Sequence, residues 1–346
     1  MEIVRAVQLS DLPALSALTG QATLGLTSLQ LNKAQLLERI ERSHFAFTRR
    51  SESPSGEPYV LVMEDSESGQ LVGTATLYAK TGGYEPFYAY RLRTDYHSTA
   101  GLQRPGLQHT VREHTALHLE RIYDGPSEIG SLFLLRAYRG RGRGRLLSLS
   151  RFALLAQRPH RFSNRVIAEM RGRCDVHGYS PFWEHVMRPF FGIDFPQADA
   201  LSTVSKTFIE DLMPRYPLYL DLLPAEARET VGQVHEETRP AVALLEQEGF
   251  ATTDLIDIFD AGPVLQCPVD QIAAVRRCRR RTAVLDGAVD PSAPQHIVSS
   301  MQDGFRAVLA PVAEPEEAEH LAIAPATAAA LGIEQGQSVW CLSPHG

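Results

Sequence analysis

The sequence predicts an α/β (α+β) fold, and three observations predict it. The run "SEIGSLFLLRAYRGRGRGRLLSLSRFALLAQ" reads as a strand at about 127–135, a glycine turn, and a helix at about 143–157. Short alternating strand patterns and capped helical patterns follow one another over the first 270 residues or so. From about residue 280 the texture changes. "TAVLDGAVD", "HIVSS", "FRAVLAPVA", "EHLAIAP" and "SVWCLSP" are short strand-like pieces separated by turns.

Taken in order, the first element is a short strand in which Ile3 and Arg5 alternate with Val4 and Ala6. Asp11 reads as the cap of a helix with Leu12, Leu15 and Leu18 on one face and Pro13 in its first turn. A second amphipathic helix spans about 30–43, capped by Ser28 or Asn32. After a Ser/Pro/Gly loop at 51–58, "SESGQ" joins strands at 59–65 and 71–80 into a hairpin, and 87–98 is a third candidate strand. "NRVIAEMRG" at 164–172 is a further strand, and "SPFWEHVMRPFFG" at 180–192 starts as a helix. A proline-punctuated region holds "KTFIEDLMPRYPLY" and "PAEARETVGQV". Thr238 then reads as a cap, with Pro240 in the first turn and Gly249 stopping the helix. "LIDIFD" reads as a strand and "VDQIAAVRRCRRR" as a basic helix. Two units are expected, 1–270 and 271–346, the second being the basic helix and a small β-rich C-terminal unit.

The totals limit the function. The 346 residues are 44% hydrophobic and 22% charged, as in a folded globular protein, and the net charge of −7 weighs against nucleic acid as a partner. Cys174, Cys267, Cys278 and Cys341 form no C-x-x-C pair and read as isolated thiols in a reducing compartment. No stretch approaches the ~18 apolar residues of a membrane span, so a cytoplasmic location and no membrane partner are expected. His114 and His118 stand four apart, which would put both on one helix face, yet Thr115 holds the place a zincin gives to Glu. No metal is expected. His177, before a helix, reads as structural. The run "RRCRRR" at 276–281 reads first as a solvated helix face.

Arg and Gly alternate from Arg139 to Arg145. Disordered Arg/Gly boxes bind nucleic acid, but this one lies between an apolar strand and an apolar-periodic helix. Strand, glycine turn and helix N-terminus form an anion seat, because free first-turn N–H groups and the helix dipole face the ligand. A P-loop is absent, and the Gly-x-Gly-x-x-Gly pattern fails at Arg145. What stands here is Arg139-x-x-Gly142-x-Gly144, which resembles the pyrophosphate loop of the GCN5-related N-acyltransferases. That resemblance implies a mixed sheet flanked by helices. It also implies a coenzyme A pyrophosphate held by Arg139, Gly140, Gly142 and Gly144, with Arg141 and Arg143 adding field strength. The 276–281 run then has the coenzyme's 3′-phosphate as its functional alternative.

Longer phrases resemble one family within that superfamily, the bacterial arginine N-succinyltransferases. They are "GLTSL", "RGRGRGRLLSLSRF", "AEMRG", "HGYSPFW", "DLMP", "GQVH" and "IDIFDAGP", in order over about 25–265. The resemblance implies transfer of a succinyl group from succinyl-CoA, a co-substrate rather than a resident cofactor, to the α-amino group of L-arginine. Some members also take ornithine, and some pair as α and β subunits, so a homo-oligomer or a heteromer with a paralogous subunit is expected. It implies that His235 is the proton donor and that Leu132 contacts succinyl-CoA. A histidine just ahead of a helix cap has a lowered pKa, which suits proton transfer near neutrality. The superfamily's usual tyrosine acid has no counterpart in "SPFWEHVMRPFFG", where Phe182 and Trp183 stand, or in "RPAVALLEQEGF". If the latter is the counterpart helix, an insertion around 190–235 carries His235 to the site. Departures from the family's pattern are "FLLRAYR" at the strand end, Ala261 for a usual Gly, and "HEETRPA" after the histidine. Glu169 and Arg171 are candidates for the acceptor's guanidinium and the donor's succinyl carboxylate, with structural pairing as the other reading.

Overall fold

β1 (Glu2–Ala6) starts a chain whose computed structural model describes residues 1–22, 29, 31–83, 85–98, 111–202, 207–312 and 319–344. The possible cap Ser28 and most of the phrase at 25–29 lie outside the described residues. α1 (Leu12–Thr19) and α2 (Lys33–Thr48) follow. Asn32 caps α2 by accepting from Gln35 N–H at 3.0 Å, while the Gln35 side chain accepts from Asn32 N–H at 2.8 Å. Asp11 does not cap α1 as expected. Its carboxylate turns back to Gln8 N–H at 2.7 Å and to the Arg5 guanidinium at 2.7 Å.

Next come β2 (Pro58–Asp65), β3 (Leu71–Tyr78), β4 (Phe87–Ser98), β5 (Val111–Ile122) and β6 (Ser127–Leu134). α3 (Arg143–Gln157) leads to β7 (Arg165–Glu169). Short pieces fill the next stretch: α4 (Arg188–Phe191), α5 (Phe195–Ser202), α6 (Thr207–Leu212), β8 (Leu218–Tyr219) and α7 (Ala225–Arg228). α8 (Arg239–Gln247), β9 (Ala251–Ile256), β10 (Pro263–Pro268) and α9 (Ala273–Arg277) come next. β11 (Arg279–Leu285), β12 (Gln295–Ser300), β13 (Arg306–Pro311), β14 (His320–Ile323), α10 (Pro325–Leu331) and β15 (Ser338–Leu342) complete the order.

The strands form one mixed sheet in the order β14-β11-β15-β12-β13-β1-β2-β3-β6-β7-β10-β9-β4-β5-β8. The pairs β6–β7 and β11–β14 are parallel and the other described pairs antiparallel. β2 shows how the faces divide. Tyr59, Leu61 and Met63 join the cluster around α3, while Val60 and Val62 join the cluster around α1 and α2. No helix among the described residues is long and apolar enough to cross a membrane.

Four local expectations change. His114 and His118 lie on strand β5, not a helix, because β5 pairs with β4 over twelve positions from Phe87–Ile122 to Ser98–Val111. The basic run is not one helix: α9 ends at Arg277, Cys278 is buried, and Arg279 starts a strand paired with β15 and β14. The strand read at "LIDIFD" is Ala251–Ile256, and residues after it form a turn. Thr238 holds the N-cap position of α8 with no side-chain hydrogen bond.

Candidate active site

The site grows from a fault in the sheet. Opposite β3, Thr76 pairs with Gly130 and Thr74 with Phe133, so Ser131 and Leu132 together face Ala75. Ser131 has φ 52, the left-handed backbone of a bulge. On its other side, β6 pairs with β7 only at Ser127–Val166 and Glu128–Ile167 among the described residues. Beyond those two pairs the strands part. Leu132, in the bulge of β6, lies on one side of the opening, and Arg171, two residues past the end of β7, on the other. Leu132 is half-buried and its side chain packs on the main core.

The chain leaves β6 into the glycine turn. Gly140, Arg141 and Gly142 have φ of 97, 50 and 78, and α3 begins at Arg143. Left-handed backbone at Gly140 and Gly142 is why glycine stands there. Gly144 differs: its φ is ordinary and a Cβ there would meet nothing within 4 Å. The fold itself does not need that glycine, whose bare backbone leaves the helix N-terminus open to an anion. Arg139 and Arg141 are exposed. Arg143 does not add free charge as expected, since its Nε donates to Glu2 Oε1 at 2.6 Å. Arg145 is likewise occupied, donating to the Pro344 carbonyl at 2.6 Å.

On the far side of the opening, three pieces of chain are laced together. Gly172 bridges Val234, and His235 N–H donates to the Arg171 carbonyl at 2.9 Å. Gly232 N–H donates to the Ala261 carbonyl at 2.9 Å. The buried Asp260 carboxylate accepts from Gly172 N–H at 2.7 Å and from Gly262 N–H at 2.8 Å. A Cβ on Gly262 would fall 1.9 Å from the Met170 carbonyl, so the three pieces meet backbone to backbone. Ala261, where Gly is usual in the family's pattern, sits at φ 57. Burial pushes Asp260 well above the ordinary carboxyl range, and the Asp257 charge beside it adds to this.

His235 is half-buried, and its Nδ1 accepts from Glu237 N–H at 3.2 Å. That bond leaves the ring proton of the neutral form on Nε2. Burial and then the Arg171 guanidinium hold its pKa below the ordinary histidine value, so it is neutral near pH 7. The cause is desolvation, not a long helix, since only a single 3₁₀ turn at Glu236–Thr238 follows it.

Leu132 and the glycine turn thus share one edge of the opening, and His235 hangs from Arg171 on the other. Glu169 lies exposed at the end of β7, opposite Val264. Phe182 and Trp183 are fully buried and His177 is exposed. His114 Nδ1 contacts Asp221 Oδ2 at 2.5 Å at the β5–β8 edge. Asp260 and the buried state of Arg171 escaped the sequence. The turn signal was present in "FDAGP", whose Asp, Gly and Pro favour a turn over a strand.

A model of the family described as "Arginine N-succinyltransferase beta subunit" matches residues 2–274, and that of its C-terminal domain matches 279–343. Arginine N-succinyltransferases of Salmonella paratyphi B and Salmonella newport are 42% identical over 281 residues, 81% of this chain and 79% of theirs. The solved structure of arginine/ornithine succinyltransferase subunit AI from Pseudomonas aeruginosa matches with a TM-score of 0.90 at 31% identity. That match covers 100% of this chain and 99% of the other. By its sequence and by its fold from end to end, this chain belongs to the arginine N-succinyltransferase family of acyltransferases.

Proposed function

We propose that the chain transfers the succinyl group of succinyl-CoA to the α-amino group of L-arginine, by direct attack of the amine on the thioester. The observation that carries this reading is the parting of β6 from β7, with Leu132 on one lip and the His235–Arg171 pair on the other. Arg139, Gly140, Gly142 and Gly144 seat the coenzyme's pyrophosphate, using first-turn N–H groups of α3 and an exposed guanidinium. The bulged backbone at Leu132 polarises the thioester carbonyl and steadies the oxyanion that forms when the amine adds. Neutral His235 takes the proton the amine sheds on addition. The resulting imidazolium returns that proton to the sulfur as the carbon–sulfur bond breaks, giving coenzyme A and N-succinylarginine. Counted from the neutral α-amine, whose ammonium proton has already passed to water, proton count and charge balance without a protein nucleophile.

The name of the Pseudomonas relative supports ornithine as a second acceptor and a role beside a paralogous subunit. Thiols without disulfide or metal spacing support a reducing, cytoplasmic setting. The test is the purified chain alone with succinyl-CoA and either arginine or ornithine, following free thiol. Thiol release with arginine is expected. No release alone, but release on adding the paralogous subunit, would assign catalysis to the heteromer instead.

A further inference from the structure

Arg171 is more deeply buried than its role as a backbone anchor requires. Its side chain is 11% exposed. Its Nε is buried with no hydrogen-bond partner. One Nη donates to Cys174 Sγ at 3.0 Å, and sulfur is a weak acceptor. The other Nη lies 3.9 Å from Glu237 Oε2, beyond hydrogen-bond distance, on a carboxylate 71% exposed to water. The other charged groups beside His235, whose pKa burial and then Arg171 lower, are Glu237 and Glu236 on the same turn. Asp260 and Asp175 also act on the Cys174 thiol that Arg171 touches, and the Asp260 oxygens are committed to Gly172 and Gly262. A guanidinium withdrawn from water without a close carboxylate is poorly compensated and fits an anion supplied from outside.

We propose that Arg171 receives the free carboxylate at the end of the donor's acyl chain, and so selects coenzyme A thioesters of a short dicarboxylic acid over uncharged acyl groups. The inference rests on the proposed function for the place of the thioester. Leu132 lies on the β6 side of the opening and Arg171 two residues past the end of β7 on the other, and on this proposal an acyl carbon held at Leu132 sends its chain toward Arg171. The two Nη nitrogens form the end edge of the guanidinium, which engages a carboxylate through two parallel hydrogen bonds; one of them now holds only the weak Cys174 acceptor and the other lies beyond hydrogen-bond distance of Glu237. Arg171 also stands next to His235, so a seated carboxylate fixes the acyl group beside the proton carrier.

The test compares succinyl-CoA with butyryl-CoA, which has the same carbon count and no carboxylate. Dissociation constants are measured by titration calorimetry without any acceptor, for the natural chain, Arg171→Gln and Arg171→Lys. The natural chain is expected to prefer succinyl-CoA by about tenfold or more, because butyryl-CoA leaves the guanidinium unpaired. Arg171→Gln should bring that ratio near one while keeping affinity for free coenzyme A. Arg171→Lys should restore part of it, since the charge returns without the planar fork. A natural chain with no preference, or an Arg171→Gln chain with the natural ratio, overturns the proposal. Should Arg171→Gln lose coenzyme A binding altogether, the Lys variant decides: a reduced ratio supports the assignment and an unchanged one sinks it. The ratio is read without arginine, so a chain that fails to turn over refutes the proposed function and leaves this assignment to its own result.

Discussion

At the residue scale, His235 and Gly144 make separable predictions. His235 is held neutral by burial and by Arg171, so the proton-accepting form persists below the usual histidine pKa. Activity that needs neutral His235 falls as pH drops through that lowered value, and the acid limb of kcat/KM therefore lies below about 6.5. His235→Ala is expected to lower kcat by roughly 10²–10⁴-fold, remove that limb, and leave the affinity for succinyl-CoA nearly intact. Intact turnover in that variant would refute the role. Gly144 has ordinary helical backbone and open space around it. Gly144→Ala should therefore raise stability by up to about 1 kcal/mol through helix propensity, while weakening coenzyme A binding at the turn. Thermal melts and a binding titration on one sample separate the two effects. A variant that binds coenzyme A as well as the natural chain would remove Gly144 from the seat.

At the element scale, the interest lies where the chain after β7, the 232–235 stretch and the turn after β9 meet, the first and last tied by the Asp260 carboxylate and the second by backbone bonds to Ala261 and Arg171. Burial holds the Asp260 carboxyl proton to higher pH in the folded chain than in the unfolded chain, which releases it near the ordinary carboxyl value of about 3.9. Stability from this source is thus fully present below that value and declines as pH rises toward the raised folded pKa. Urea unfolding at pH 5 and pH 7 should show the decline, and Asp260→Asn should flatten it. The same variant puts an amide group against a backbone N–H and should cost about 1–3 kcal/mol. An unchanged pH slope in Asp260→Asn would place the titration elsewhere. The motif was only partly legible. "HGYSPFW" and "IDIFDAGP" are distinctive strings, but the contact between Gly172 and Asp260 spans 88 positions, and no local pattern reports a pairing of that range. β5 was missed for a related reason: its outer half is exposed, so alternation is weak, and only pairing with β4 makes it a strand.

For the whole molecule, the C-terminal strands support the donor seat. β13 pairs with β1, extending the sheet beyond the N-terminal strand. Every residue of α3 from Leu146 to Leu155 is buried, because β1, β3 and β6 of the sheet pack along one part of it and α9 with β12, β13 and β15 along another. Leu309 on β13 stands 3.1 Å from where a Cβ of Gly142 would lie, and Arg145 reaches the Pro344 carbonyl. A chain ended at Arg277 would bare that side of α3 and leave β1 as an open edge. It is expected to lose cooperative urea unfolding and to bind coenzyme A poorly. A soluble, cooperative fragment with full coenzyme A affinity would show instead that residues 1–277 stand alone.

The sequence by itself determined the strand, glycine turn and helix at 127–157, the order of most other elements, and the family. These rest on local signals: apolar periodicity, capping residues, and backbone conformations that only glycine takes readily. Tertiary structure alone decided that β6 parts from β7 after two pairs, that Arg171 is buried beside His235, and that Asp260 ties distant turns together. The physical reason is range. Burial and the pairing of remote backbone groups depend on which surfaces meet after folding, and chain-local chemistry does not encode them residue by residue.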